Sequence, residues 1–260
     1  MHMTERIFTS REGGVLTITN NDPATRNSLS PEFYVGLRET LEDIQEDTSI
    51  RAVVLTGAGG FFCSGGNINS LAERRNSDYG TVRAGVEYLH GMIRAMRNSN
   101  KPIIAAVEGG AAGAGAALAL ACDMIVAADN SYLSIAYIRI GVTPDGGSTA
   151  LLSKMVPPQM LAEMVLTGDR IPAQRLHALG VVNRLSSPGT ALADAQALAN
   201  QLAAGPPKAT ANAKRLLELS RTSEFETQLN AEADGIARAL LGDEAAEGTT
   251  AFLEKRPPKW

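Results

Sequence analysis

Ile103-Ile104-Ala105-Ala106-Val107-Glu108-Gly109-Gly110-Ala111-Ala112-Gly113-Ala114-Gly115-Ala116-Ala117 decides the architecture. A short continuous apolar run enters a glycine-rich turn, and the turn opens into a helix of small residues. Apolar runs of this length, buried on both faces, are strands of a parallel sheet. Ala52-Val53-Val54-Leu55-Thr56-Gly57 repeats the pattern before Gly57-Ala58-Gly59-Gly60-Phe61-Phe62-Cys63-Ser64-Gly65-Gly66-Asn67-Ile68. Met124-Ile125-Val126-Ala127-Ala128 repeats it again, after a small-residue helix expected over 114–121. Strands alternating with helices define an α/β fold with mainly parallel pairing.

Working outward, Val15-Leu16-Thr17-Ile18-Thr19-Asn20 alternates and ends at Asn21-Asp22-Pro23, a strand and a turn. Ser30-Pro31-Glu32-Phe33 starts a helix, with Ser at the cap and Pro at the first helical position. That helix is expected to reach about Glu46, with Phe33, Leu37, Leu41 and Ile44 on one face. From about Pro157 helical patterns dominate: 157–167, 172–179, 189–204, 207–221, 223–240 and 243–254. Val181–Leu185 is the one further strand signal. Residues 1–200 read as an α/β core and 201–260 as a helical appendage that packs on its own core or on a neighbouring subunit.

The chain has 260 residues, 44% apolar and 20% charged, an ordinary globular composition. Lys plus Arg number 24 and Asp plus Glu 28, so the net charge is 24 − 28 = −4. There is no basic excess to bind nucleic acid. No apolar run approaches the length of a membrane span. The start, Met1 to Glu5, lacks a signal-peptide core, and Met1-His2 resembles an expression scar. Cys63 and Cys122 are expected as reduced, packed thiols of a cytoplasmic protein. The three histidines, His2, His90 and His177, are not spaced with a cysteine as a zinc site requires, so no metal is expected.

The two glycine-rich segments share one chemistry. A strand-to-helix turn leaves unpaired N–H groups that favour negative charge, and glycine allows close backbone approach. Two such turns aimed at one point make an oxyanion hole. A dinucleotide fingerprint is the alternative for Gly113-Ala114-Gly115, but its third glycine position is Leu118. Arg139-Ile140-Gly141-Val142-Thr143-Pro144-Asp145-Gly146-Gly147-Ser148 then supplies a single carboxylate, Asp145. It is either an acid/base or the cap of a helix starting near Gly146.

The order and spacing of these segments resemble the crotonase superfamily, the enoyl-CoA hydratases and isomerases, over nearly the whole length. Asn20 to Leu29 is similar to its N-terminal coenzyme A loop, Ala52 to Ile68 and Lys101 to Asp123 to its oxyanion segments, and Phe252 to Arg256 to its C-terminal ending. The resemblance implies a spiral of ββα units with a C-terminal helical trimerisation region, assembled as a homotrimer or dimer of trimers. It implies an acyl-CoA thioester substrate and no separate cofactor, because coenzyme A belongs to the substrate. The oxyanion N–H groups would be those of Gly66 and Ala114. Ala24, Arg26, Ser64, Asn67 and Ile68 would bind coenzyme A.

The departures point to the subclass. The two glutamates of a typical hydratase fall at Ala117 and Tyr137. Asp145 matches the acid/base of several isomerases, among them dienoyl-CoA isomerases and the ring-epoxide isomerase of phenylacetate breakdown. The implied activity is a double-bond shift in an enoyl-CoA, with an apolar pocket of Ile140, Val142 and Leu71 strengthening Asp145 as a base. Hydration of an enoyl-CoA and acyl-CoA binding without catalysis are alternatives. A haloaryl-CoA dehalogenase is a third, with Asp145 as nucleophile and His90 matching its histidine, but two positions of its aromatic box are Gly66 and Leu89 here. Tyr137 either bonds Asp145 or packs. The segment Leu71 to Arg94 reads as a loop shaping the acyl pocket.

Overall fold

The computed structural model describes residues 6–260; Met1 to Glu5, including His2, lie outside the described residues. The chain opens with strands β1 (Ile7–Glu12) and β2 (Val15–Asn20), then helix α1 (Pro31–Asp43). Strand β3 (Ala52–Gly57) precedes helices α2 (Ile68–Arg74) and α3 (Tyr79–Asn98). Strands β4 (Ile103–Val107) and β5 (Ala111–Ala112) lead into α4 (Ala114–Ala121). Then follow β6 (Met124–Ala128), β7 (Tyr132–Ser134), α5 (Ser148–Leu152), α6 (Pro158–Thr167), β8 (Ile171–Pro172), α7 (Ala173–Ala178) and β9 (Arg184–Ser186). Helices α8 (Ala191–Ala203), α9 (Pro207–Leu219), α10 (Phe225–Leu240) and α11 (Asp243–Leu253) complete the chain.

The large sheet has the order β1-β2-β3-β4-β6-β9. All its pairs are parallel except β1 with β2. A small sheet, β5-β7-β8, stands beside it. Each turn of the spiral gives a strand to the large sheet, then an extended piece to the small layer, then helix. Alternating side chains bury both faces of the large sheet. Ala52, Val54, Ile104, Ala106 and Val126 meet Ala195, Leu198, Ala199 and Ala203 of α8. Val53, Leu55, Ile103, Ala105 and Val107 join the larger core with Phe33, Leu37 and Leu41 of α1 and Leu89, Met92 and Met96 of α3.

Helix α1 begins as expected: the Ser30 Oγ accepts from the Phe33 N–H at 3.3 Å. It stops at Asp43, and the Gln45 side chain folds back onto the Leu41 carbonyl at 2.9 Å. The expected loop between Leu71 and Arg94 is instead the end of α2 and most of α3. The Asp78 carboxylate caps α3 by accepting from the Thr81 N–H at 3.0 Å, so a residue read as loop is a helix start. Val181 and Val182, expected in a strand, are buried in the core ahead of β9, and Asn183 exchanges bonds of 2.8 and 2.9 Å with the Ile125 backbone.

The helical end of the chain is sewn onto its own core. Lys214 of α9 is 7% exposed; its Nζ lies 2.7 Å from Asp123 Oδ2 and donates to the Lys101 carbonyl at 2.8 Å. Arg51 reaches the Trp260 carbonyl at 3.1 Å. Beyond these ties, Phe225, Leu240, Leu241, Phe252 and Leu253 remain exposed on α10, α11 and the intervening turn. Replacing Lys214 by methionine leaves the Asp123 carboxylate half-enclosed without its cation. Urea unfolding of Lys214→Met is expected to show a loss of about 1–3 kcal/mol, the cost of hydrogen bonds lost to a charged group; a loss below about 0.5 kcal/mol would mean that the pair does not hold α9.

Candidate active site

The loop after β2 turns twice through the left-handed region, at Arg26 (φ 55°) and Asn27 (φ 57°). Asn27 is fully buried and organises everything around it. Its Nδ2 donates to the carbonyls of Ala58 at 2.8 Å and Phe61 at 2.5 Å, and its Oδ1 accepts from the Asp22 N–H at 2.9 Å. Ser64 donates its N–H to the Arg26 carbonyl and its hydroxyl to the Thr25 carbonyl, both at 2.9 Å. The Leu29 N–H donates to the Gly65 carbonyl at 2.8 Å. Asn67 caps α2 through bonds from the N–H groups of Asn69 at 3.0 Å and Ser70 at 3.3 Å, and its Nδ2 reaches the Ser28 Oγ at 3.4 Å. Ala24, Arg26, Ser64, Asn67 and Ile68 therefore share one rim. The Arg26 guanidinium sits over the Phe61 ring, 5.6 Å from its centroid.

The two glycine-rich turns are stitched together. Cys63 pairs with Ala111 in a parallel bridge: the Cys63 N–H donates to the Gly110 carbonyl at 3.3 Å, and the Ala112 N–H to the Cys63 carbonyl at 3.0 Å. The approach leaves no room for side chains. A Cβ on Gly65 would lie 2.6 Å from the Ala112 carbonyl oxygen and 3.3 Å from the Ala114 nitrogen. A Cβ on Gly115 would lie 2.4 Å from the Cys63 carbonyl oxygen. The Gly65-Gly66 peptide thus stands beside the first turn of α4. Among the described residues, neither the Gly66 nor the Ala114 N–H donates to a protein acceptor. Two free amides at one place, one of them at a helix start, suit a developing oxyanion. Cys63 is part of this seam and no nucleophile, because burial pushes its thiol up to about 12.

Asp145 enters from the other side. Tyr137 lies on a single-turn helix, Ala136–Ile140, closed by Gly141 at φ 72°. The Val142 N–H bonds the Tyr137 carbonyl at 3.2 Å, and the chain returns through Asp145 to Gly146 and Gly147, both at positive φ. The Tyr137 hydroxyl lies 2.7 Å from Asp145 Oδ1. The carboxylate does not cap α5: the cap position is Gly147, and Ser148 bonds the Asp145 backbone carbonyl instead. A Cβ on Gly146 would lie 2.9 Å from Ala117 Cβ and 3.5 Å from Leu89 Cδ2, so the Asp145 turn rests on α4 and α3. A Cβ on Gly113 would lie 3.9 Å from Tyr137 Cζ, so the phenol bridges the second turn and the carboxylate.

The expected apolar pocket is corrected. Ile140 and Val142 are 50% and 43% exposed, turned outward by the left-handed Gly141 between them. Leu71 lies against Gly66, where a Cβ would be 3.4 Å from its Cδ1, and Leu89 and Ala117 take the wall beside Asp145. Tyr34 of α1 was not anticipated. It is buried, and its phenol is pushed up by burial and then by the charge of Asp145. The sequence offered only its place on the apolar face of α1. His90 turns its Nδ1 towards Glu87 Oε1 at 3.5 Å. Glu87 also pairs with Arg83 and Arg94, which hold its carboxyl at about 2, so His90 faces a surface ion network. Among the described residues no group of His, Cys, Asp and Glu could hold a metal ion, and no helix is long and apolar enough to cross a membrane.

The chain belongs to the enoyl-CoA hydratase/isomerase family, whose model matches residues 10–260. It is 33% identical to 1,2-epoxyphenylacetyl-CoA isomerase of Escherichia coli K12 over 99% of both chains. It is 34% identical to carnitinyl-CoA dehydratase of Salmonella arizonae, again over 99% of both. Among solved structures, an enoyl-CoA hydratase from Polaromonas sp. JS666 superimposes with a TM-score of 0.95 at 42% identity, covering 97% of this chain and 98% of the other.

Gly115→Ala isolates the seam between the turns. Alanine should help a helix by about 1 kcal/mol, but its Cβ meets a backbone oxygen at 2.4 Å, and overpacking costs about 1–3 kcal/mol. The clash wins, so thermal unfolding should move down and acyl-CoA affinity should fall. A stabilised, fully active variant would show that the seam is not tight.

Proposed function

We propose that this chain shifts a double bond in an enoyl-CoA, with Asp145 as acid/base and the N–H groups of Gly66 and Ala114 stabilising the enolate oxygen. The observation that carries the reading is the carboxylate of Asp145, tied to Tyr137, on a turn that packs against the helix opened by the free Ala114 amide. Asp145 removes a proton from the carbon α or γ to the thioester; the C–H electron pair moves into the carbonyl and leaves a dienolate. The same carboxylic acid returns the proton to the other end of the conjugated system. No water is added and no electrons are gained or lost, so no cofactor besides the coenzyme A of the substrate is needed. One acid/base group suffices. Ala117 and Tyr137, at the matching positions of the two hydratase glutamates, leave no second carboxylate to hold water.

The rim of Ala24, Arg26, Ser64, Asn67 and Ile68 is the proposed coenzyme A path, with Arg26 as the cation for phosphate. The similarity to carnitinyl-CoA dehydratase favours hydration or dehydration as the second reading. The exposed Phe225, Leu241, Phe252 and Leu253 support a homotrimer or dimer of trimers built through residues 201–260. The buried free thiols fit a cytoplasmic setting.

The test pairs two substrates with one variant. The wild-type protein is expected to convert β,γ-hexenoyl-CoA to its α,β isomer faster than it hydrates crotonyl-CoA. Asp145→Asn should lower isomerisation by about a hundredfold or more while still binding saturated hexanoyl-CoA. Undiminished turnover by Asp145→Asn would remove the acid/base role; faster hydration than isomerisation would favour the second reading.

A further inference from the structure

We propose that Tyr137 is a positioning residue that makes Asp145 one-sided: its hydroxyl donates to Oδ1 and leaves Oδ2 as the oxygen that takes and returns the substrate proton. This deepens the acid/base reading of Asp145 and rests on it. A carboxylate held only by its own backbone presents two equivalent oxygens and rotates between them. Here one oxygen is engaged at 2.7 Å by a phenol that is itself 9% exposed. The partners are eight residues apart, at the two ends of a tight excursion closed by the Val142 to Tyr137 backbone bond and bent at Gly141 and Gly146. The hydroxyl-bearing carbon of the phenol, Cζ, lies against the Gly113 turn, 3.9 Å from where a Cβ on Gly113 would stand. The chain therefore sets the orientation of the carboxylate relative to the free amides, without substrate.

The direction of the hydrogen bond follows from the surroundings. Burial, then the Asp145 charge, push the Tyr137 phenol well above its ordinary range, so it keeps its proton and acts as donor. The other titratable group coupled to Asp145 is the Tyr34 phenol of α1, likewise pushed up. From α3 the neighbour at the Asp145 turn is Leu89, and from α4 it is Ala117. The His90 ring on α3 pairs with Glu87. From α2, the Arg74 cation acts on the same Tyr34 phenol as Asp145 does, while the direct bond to the carboxylate is that of Tyr137.

The arrangement has a consequence for substrate. A carboxylate with Oδ1 engaged by a phenol offers Oδ2 along one fixed direction. The C–H it would take lies between the thioester and the alkene of a β,γ-unsaturated acyl-CoA, where it is acidified from two sides. In the transfer, the C–H bond breaks, the O–H bond forms at Oδ2, and the phenol O–H of Tyr137 stays intact. In the return step the O–H bond breaks at Oδ2 and a C–H bond forms at the γ-carbon.

The pH dependence of β,γ-hexenoyl-CoA isomerisation tests this with Tyr137→Phe and with fluorotyrosine at position 137. Tyr137→Phe should lower kcat by about tenfold to a hundredfold, the usual effect of losing a bond to a charged group, with KM little changed. Its acid limb of kcat/KM should move to higher pH by about one unit. Fluorotyrosine, a stronger donor of nearly the same shape, should move that limb to lower pH. An unmoved limb and undiminished kcat in Tyr137→Phe would overturn the proposal. If Tyr137→Phe does not fold, the fluorotyrosine protein decides it, and an unmoved limb there overturns it equally. An active Asp145→Asn would instead sink the underlying acid/base reading, whatever Tyr137→Phe does.

Discussion

The parallel bridge between Cys63 and Ala111 is the contact on which the site depends. It brings together two turns that are far apart in sequence, and it does so through backbone bonds alone. Gly65 and Gly115 are required where the turns meet, because each faces a carbonyl oxygen at a distance no Cβ tolerates. The same closeness leaves the Gly66 and Ala114 amides side by side without protein acceptors. Unpaired amides in a half-enclosed place are costly unless a ligand accepts from them. An oligomer of any size would still need this seam within each chain.

Around the seam, three further elements converge, and each is fixed by a different force. Asn27 holds the N-terminal loop through side-chain bonds that imitate backbone. Helix α4, with every residue buried, is set by packing of small side chains. The Asp145 turn is set by left-handed glycines and by the Tyr137 hydroxyl. In the proposed chemistry the negative charge of the enolate develops next to a carboxylate that has just been neutralised by the proton it took. Net charge in the cleft is thus conserved through the step, which is one reason a single acid/base can serve both proton transfers.

Much of this was legible in the sequence, for physical reasons that differ by element. The parallel strands at 52–57, 103–107 and 124–128 are continuous apolar runs that only a doubly covered sheet accommodates. Helix α1 carried both its cap and its apolar face. The strand β1 was missed, because an edge strand buries one side only and IFTSRE is mostly polar. Helix α3 was missed at its start, because Asp78 follows a polar stretch and the cap is recognisable only once Thr81 is seen to donate to it. The sequence left Asp145 between an acid/base and a helix cap, and only the fold removes the cap, since Gly147 takes that position; the pocket expected from Ile140 and Val142 was misplaced, because the positive φ of Gly141 turns both outward. Tyr34 carried no signal beyond its place on the apolar face of α1, and the Asn27 bonds to Ala58 and Phe61 reach partners distant in sequence.

The central claim is that the two amides at Gly66 and Ala114 grip a thioester oxygen. Isotope-edited infrared spectroscopy of saturated hexanoyl-CoA, bound to the intact protein, reads that contact directly, since no reaction consumes the probe. The account predicts a carbonyl stretch displaced to lower frequency than that of the free thioester in water, as two directed donors polarise the bond. A carbonyl band at or above the free position would show that the amides point elsewhere, and would contradict it.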